Sequence, residues 1–396
     1  MTVPPEFRPE FIESQPEWRS ALQEIEQFGI CGLNLLATGP DPLSHEVGLV
    51  LLALPDTEYV ANCFELGHDI LRDLAWLLEN KKIRKVLYDA KFCISFVRAS
   101  ESRKLYAENI FDLLLASQIC WSGYYELSPS SSPKNPWKKR APDHSLAALA
   151  ERHLGIRLND VLGKSLLELC SDERIDDLSS ESIKSAAMQT AVLLPIHSIL
   201  EQLIDKNCLQ KIADLEFKAI SSLAEMEISG IYLDPRGAST ILGQRENELC
   251  DLVWTMQDEA QRKGFVRVSH DGKRLCYYLN PDRQEDVMAF LRRRGFAVTS
   301  TKAEVLRGLA AAGCGFAEAV LRYRHVCQTL SFLKNWMERV HAKDGRVHPQ
   351  YFQISHIYRQ DQLSKAQCPA DPKDRRRRAC HKEAFYASGQ KEVCQG

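Results

Sequence analysis

The segment Gly32-Leu-Asn-Leu-Leu-Ala-Thr-Gly-Pro-Asp-Pro42 constrains the fold more than any other part of the chain. It reads as a short apolar strand that ends in a Thr-Gly turn, and a second apolar strand, Val47 to Leu54, comes after it. A helix from Trp18 to Phe28 is expected to precede the pair. A chain of 396 residues, 44% of them hydrophobic, is long enough for two domains with real cores. No apolar run reaches bilayer length, and Met1-Thr-Val-Pro-Pro-Glu6 has neither a basic nor an apolar leader region, so the expectation is a cytoplasmic protein without membrane contact. Thirteen cysteines stand singly with no C-x-x-C pair, which argues for reduced thiols and against a zinc site. Ser128 to Pro142, rich in Ser, Pro and Lys, is expected to be a loop.

Four further blocks succeed the strand pair. They are Lys85-Val-Leu-Tyr-Asp-Ala-Lys-Phe-Cys93, Phe111-Asp-Leu-Leu-Leu-Ala-Ser-Gln118, His144-Ser-Leu-Ala-Ala-Leu-Ala-Glu-Arg-His-Leu-Gly155 and Ile183-Lys-Ser-Ala-Ala-Met-Gln-Thr-Ala191. In this order they resemble the proofreading 3′–5′ exonuclease domain of family-A DNA polymerases, the bacterial DNA polymerase I type, over roughly residues 25–205. The resemblance implies an α/β, ribonuclease H-like (DnaQ-like) domain with a mixed sheet. In that family the strand carries Asp-x-Glu, the second motif, matched by Lys85–Cys93, ends in Asp, and the third motif reads Tyr-Ala-x-x-Asp. Those carboxylates hold divalent cations, Mg2+ in the family, which generate a hydroxide and stabilise the charge that develops on the phosphate. Here the positions hold Asn34, Leu36, Cys93 and Gln189, and Ser185 replaces the Tyr that orients water. No catalytic residue is intact, no metal site is expected and no cofactor is expected in this chain. Asp41 and Asp89 are the acids nearby: one falls in the turn, the other takes the family's Asn position.

The second half resembles the same polymerases. Leu215 to Asp234 is similar to the entry into the thumb, with a Met226-Glu227 pair, Gly230 to close the helix in a left-handed conformation and Pro235 to restrict the backbone beyond it. Leu242, Leu249, Val253 and Met256 predict a long helix over 236–262; Val320, Tyr323, Val326, Leu330, Leu333 and Met337 predict another over 316–341. Thr301 with Glu304 offers a capping box. Asp344-Gly-Arg-Val-His-Pro-Gln-Tyr-Phe-Gln353 matches the family's Gly-Arg-x-His-x-x-(Phe/Tyr)-x-Gln at the start of the palm, where short strands are expected. The domains implied are an N-terminal extension (1–24), a degenerate exonuclease domain (25–205), a helical thumb (206–343), the start of a palm (344–357) and an irregular tail (358–396).

The family's next element is a Thr-Gly-Arg block ending in Gln-Gln-Ile-Pro-Arg, and this chain departs from it at Tyr358. Read from the second base of the Tyr358 codon, codon degeneracy permits that whole block in order. The expectation is a frame shift near Ile357–Tyr358. The palm aspartates and the nucleotide-binding Lys and Arg of the family lie C-terminal to the block, so no palm active site is expected here.

Net charge is −2, yet Arg262, Lys263, Arg267, Lys273, Arg274, Arg283, Arg292, Arg293 and Arg294 concentrate in the thumb. With Arg346 and His348 they are the residues expected to meet primer–template DNA, neutralising phosphates without reading sequence. The function implied is that of a polymerase-like protein of replication or repair that at most binds DNA. A 3′–5′ exonuclease with unrecognised ligands and a non-catalytic protein-interaction module are the alternatives.

Overall fold

The computed structural model describes residues 9–67, 69–101, 103–129, 136–158, 180–268, 275–276, 278–354 and 362–363. The chain divides into two compact units. The first is Met1–Ile231, resuming at His348–Ala366; the second is Tyr232–Val347.

The first unit begins with β1 (Glu10–Ile12) and α1 (Gln15–Phe28), then β2 (Ile30–Ala37), β3 (Val47–Ala53), β4 (Glu58–Asn62), α2 (Cys63–Leu66) and α3 (Asp69–Glu79). It continues with β5 (Arg84–Leu87), α4 (Ala90–Glu101), β6 (Ile110–Asp112), α5 (Leu113–Cys120), β7 (Glu126–Pro129), β8 (Trp137–Arg140) and α6 (Leu146–Leu154). Three helices close it: α7 (Ser180–Ala191), α8 (Leu193–Lys206) and α9 (Gln210–Ser229). The central sheet has the order β1-β4-β3-β2-β5-β6. It is mixed, as expected: β2, β3 and β4 run antiparallel, while β5 and β6 continue parallel to β2 and β1 lies parallel to β4.

Strand alternation sorts the two faces. Leu33, Leu35, Val50 and Leu52 join the large core under α1, α3 and α4, into which α1 sends Trp18, Ala21, Leu22 and Ile25. The segment expected to be an extension therefore belongs to the core, because its helix has a complete apolar face. The opposite face is covered by α7 and α8. Gly32 permits this approach, since a Cβ there would stand 3.1 Å from the Ala53 Cβ and 3.4 Å from that of Leu193 on α8. The stretch Ile183–Lys206 is long and apolar enough by composition to cross a membrane. In the structure it is two helices divided at Val192, with Leu193, Ile196, Leu200 and Ile204 buried in the domain.

Two sequence expectations need correction. The segment read as a loop contains an antiparallel hairpin, β7–β8, in register from Glu126↔Arg140 to Pro129↔Trp137. The first unit also runs past residue 205. Ala213, Ile220 and Ala224 of α9 are buried in its cores, so the helix read as the thumb's start packs here.

The boundary falls within β9 (Ile231–Tyr232), and the second unit beyond it is mostly helical: α10 (Pro235–Arg262), the ribbon β10 (Arg267–Val268) with β11 (Leu275–Cys276), α11 (Gln284–Arg293), α12 (Ala303–Ala311) and α13 (Gly315–Glu338). The two long helices match the expected spans. Asp234 caps α10 by accepting from the Arg236 and Gly237 amides, both at 3.1 Å, with Pro235 at the first helical position. Gly230 caps α9 with φ +58° but ψ 178°, so it ends the helix outside the left-handed helical conformation expected. Thr301 is not the cap of α12; Lys302 holds that position, and the Arg324 guanidinium on α13 bonds the Thr301 carbonyl (2.5 Å) and hydroxyl (3.1 Å). Val253, Met256, Phe290, Phe316, Val320 and Tyr323 form this unit's own core.

Short strands come next at β12 (Arg346–Val347) and β13 (Tyr351–Phe352), where strands are expected. Within the tail expected to be irregular, β14 (Gln362–Leu363) pairs antiparallel with β13. The rest of 358–396 lies outside the described residues.

Candidate functional site

Asn34 and Leu36 stand two apart on β2, opposite Leu51 and Leu49 of β3. Alternation puts all four on the face that α7 covers. Leu36 and Ile183 pack there against a buried cluster of Leu49, Leu51, Val60, Ala186 and Ala187. Ser185 and Gln189, one helical turn apart on α7, are half-buried. Cys93 is buried on α4. Burial, then the Asp89 carboxylate, push its thiol up, while the Leu35 backbone bears on it in the opposite sense. Cys93 is thus a protonated thiol set against β2. The structure brings Leu36 and the α7 segment carrying Ser185 and Gln189 to one face of the sheet, and sets Cys93 beside the same strand.

This donor set does not fit a divalent cation of the Mg2+ kind. Such ions take hard oxygen ligands, chiefly carboxylates, in close array. Here one position is an aliphatic side chain packed against an apolar cluster, one a buried thiol, and two are amides. No hydrolytic step through a metal is derived from it.

Of the acids nearby, Asp41 is engaged in its own turn and Asp89 lies close to Cys93 and Asp112. Asp41 holds its own turn, its Oδ1 accepting from the Leu43 amide (3.0 Å) and its carbonyl from the His45 amide (2.9 Å). That turn is tight: a Cβ on Gly39 would overlap the His45 ring. Asp89 has φ +57°, a left-handed conformation that Asp and Asn tolerate better than most side chains. Its carbonyl accepts from the Phe92 amide (3.1 Å) in the first turn of α4. Among the described residues, neither acid belongs to a group of three His, Cys, Asp or Glu side chains able to hold a metal.

Asp112, in the Phe111–Gln118 block, has two roles in the structure. It is buried, and its Oδ1 accepts from the Leu115 amide (2.9 Å) while Oδ2 accepts from the Ala90 amide (2.6 Å), so one carboxylate caps both α5 and α4. Burial and the neighbouring Asp89 charge raise it to about 7, against the opposing pull of the backbone amides.

The segment from His348 to Gln353 is anchored within the first unit by Lys91. The Lys91 ammonium bonds Glu227 Oε1 (2.6 Å) and the Tyr351 carbonyl (2.5 Å) and lies 5.4 Å from the centroid of the Phe352 ring. Glu227 Oε1 also accepts from the Tyr351 amide (2.6 Å), and its carbonyl accepts from His348 Nδ1 (2.7 Å). Gln353 Nε2 donates to the Glu216 carbonyl (2.8 Å). His348, expected to meet DNA, thus has one ring nitrogen committed to α9.

The basic residues of the second unit divide similarly. Arg294 pairs with Glu259 (2.7 Å), Arg292 donates to the Val298 carbonyl (2.9 Å), and Arg262 pairs with Asp258 on its own helix (2.8 Å). Arg262, Lys263, Arg292, Arg293 and Arg346 are all exposed, and Arg294 is half-buried. Lys273 and Arg274 lie outside the described residues.

Residues 38–205 match the family model of the 3′–5′ exonuclease domain found in DNA polymerase A proteins. No curated protein matches the chain. Among solved structures it is similar to the POL domain of Pol1 from M. smegmatis in complex with DNA primer-template and dNTP, with 18% identity and a TM-score of 0.63. That similarity covers 93% of this chain and 56% of the other, so this chain spans little more than half the length of that one. Brucella melitensis NrnC bound to pGG (16% identity, TM-score 0.42, covering 56% of this chain and 92% of that one) also aligns, as does the Aedes aegypti Nibbler EXO domain (17%, 0.39, covering 53% and 97%). The fold is a ribonuclease H-like exonuclease domain with a mixed sheet, followed by a helical region like that of a polymerase domain.

Proposed function

We propose, from the premise that residues 38–205 are a 3′–5′ exonuclease domain of the DNA polymerase A type, that this protein holds DNA without cutting it. The observation that carries this reading is the set Asn34, Leu36, Cys93 and Gln189, with Leu36 half-buried against an apolar cluster. In-line hydrolysis of a phosphodiester by paired metals needs carboxylates that fix both ions, one to generate the attacking hydroxide and one to stabilise the leaving oxygen. Without them neither charge is met. Ser185 is also too short to take over the water-orienting part of the family's Tyr. Binding is assigned to the second unit, where Lys263, Arg293 and Arg346 are exposed cations suited to phosphates of any sequence.

The test is a 3′-labelled single-stranded oligonucleotide incubated with the purified chain and Mg2+ or Mn2+. The label should stay on a full-length strand, and primer–template binding, read by anisotropy, should weaken steeply with salt. Metal-dependent shortening that EDTA abolishes would overturn the reading. The combined change Asn34→Asp, Leu36→Glu, Cys93→Asp and Gln189→Asp is the corresponding gain-of-function experiment. We further propose that the sequence from Tyr358 on is read out of the frame that encodes the family's Thr-Gly-Arg block. Sequencing the transcript across codon 357 checks this, and the idea fails if the +1 frame does not continue into palm sequence.

A further inference from the structure

The β7–β8 hairpin is used by neither the exonuclease motifs nor the second unit. Its register pairs Leu127 with Lys139 and Pro129 with Trp137. Leu127, Pro129 and Trp137 therefore share one face, and all three are exposed, Leu127 at 60% and Trp137 at 56%. Tyr124 and Tyr125, 62% and 45% exposed, lead into the first strand. The sequences of the two strands carry Lys138, Lys139 and Arg140 against the single acid Glu126.

A two-stranded ribbon is marginal alone, but both feet of this one are fixed. At one end the Trp121 ring lies 5.4 Å from that of Tyr124 and 5.3 Å from the Arg152 guanidinium. At the other, the His144 carbonyl accepts from the Tyr88 hydroxyl (3.2 Å), and His144 Nδ1 bonds the Ser117 hydroxyl (2.8 Å). The ribbon is thus held on a rigid base with large aromatic faces in water.

We propose that this hairpin is a binding platform for single-stranded nucleic acid. The chemistry selects the occupant. Exposed aromatic faces offer stacking to any unpaired base, and the basic sequence of β8 suits a backbone of phosphates. A duplex keeps its bases stacked inside and cannot use Trp137 in this way. An acidic peptide would meet the charges but has no planar group for the indole. The platform lies on the first unit and shares no residue with the cations of the second.

The experiment uses the full chain in EDTA, so that cleavage is excluded, with fluorescent 20-mers of oligo(dT) and oligo(U) and a 20-base-pair duplex. Trp137→Ala should weaken single-strand binding about fivefold to a hundredfold, Trp137→Tyr should restore most of it, and duplex binding should not move. Converting Lys138, Lys139 and Arg140 to Glu should lower the slope of log affinity against log salt for the single strand by about 2. The two oligomers tell DNA from RNA. Equal binding by wild type and Trp137→Ala, no single-strand binding by wild type, or Trp137-dependent binding to phosphatidylserine vesicles in place of oligonucleotide would each overturn the proposal. Because Trp137 is exposed, its variants should keep the wild-type unfolding midpoint, and the Ala-against-Tyr contrast separates stacking from folding.

Discussion

Asp112 turns a local capping signal into a pH dependence. Its carboxyl is raised in the folded protein, from 3.8 to about 7, by burial and by Asp89. A raised acid favours the neutral form in the native state, so its contribution is fullest below the unfolded value and is lost as pH rises toward 7. A rise of that size corresponds to about 4 kcal/mol at most. The unfolding midpoint should fall between pH 4 and 7, and Asp112→Asn should flatten that fall while losing one of the two caps. A parallel decline in the variant would show that another group is responsible. The sequence displayed Asp112 before an apolar run, which is enough to read a cap. Its bond to the Ala90 amide joins segments 22 residues apart, and no local pattern encodes that.

At the scale of elements, periodicity located the helices well. The spans expected at 236–262 and 316–341 appear as Pro235–Arg262 and Gly315–Glu338, because each carries a continuous apolar stripe. The Asp-Gly block before Gln353 likewise announced its short strands. The β7–β8 hairpin was hidden because Ser, Pro and Lys signal turns while backbone pairing leaves no mark on composition. Thr301 failed as a cap because Arg324, from another helix, took its oxygens. The α9 boundary failed for a similar reason: its apolar face would suit either unit. The Lys91–Glu227–Tyr351 junction ties α4, α9 and β13 together, and both ionic partners are largely buried. Lys91→Met leaves Glu227 buried without its cation and should cost about 2 kcal/mol, several degrees in the midpoint. Adding Glu227→Gln should recover part of the loss. An unchanged midpoint in Lys91→Met would show that the junction contributes nothing to stability.

For the whole molecule, the recognisable motifs placed the exonuclease domain, because the residues at 38–205 keep the family's order. Legibility ended at the second unit's cations, since charge alone does not tell a phosphate contact from an internal pair such as Arg294–Glu259. The second unit has its own core around Phe290, Phe316 and Tyr323. A fragment of residues 232–347 should accordingly give a helical circular-dichroism spectrum and a cooperative thermal transition. A flat melt would mean that this core requires the rest of the chain.

The bond from Lys91 to the Tyr351 carbonyl spans 260 residues, and this has a consequence for synthesis. The first unit is interrupted in the chain by the whole of Tyr232–Val347. At about 5–20 residues per second, a ribosome needs roughly 6–23 s to make that insert. Through this interval the nascent first unit presents Lys91 and Glu227 with no β13 to receive them, and its last segment can dock only after a different domain has emerged.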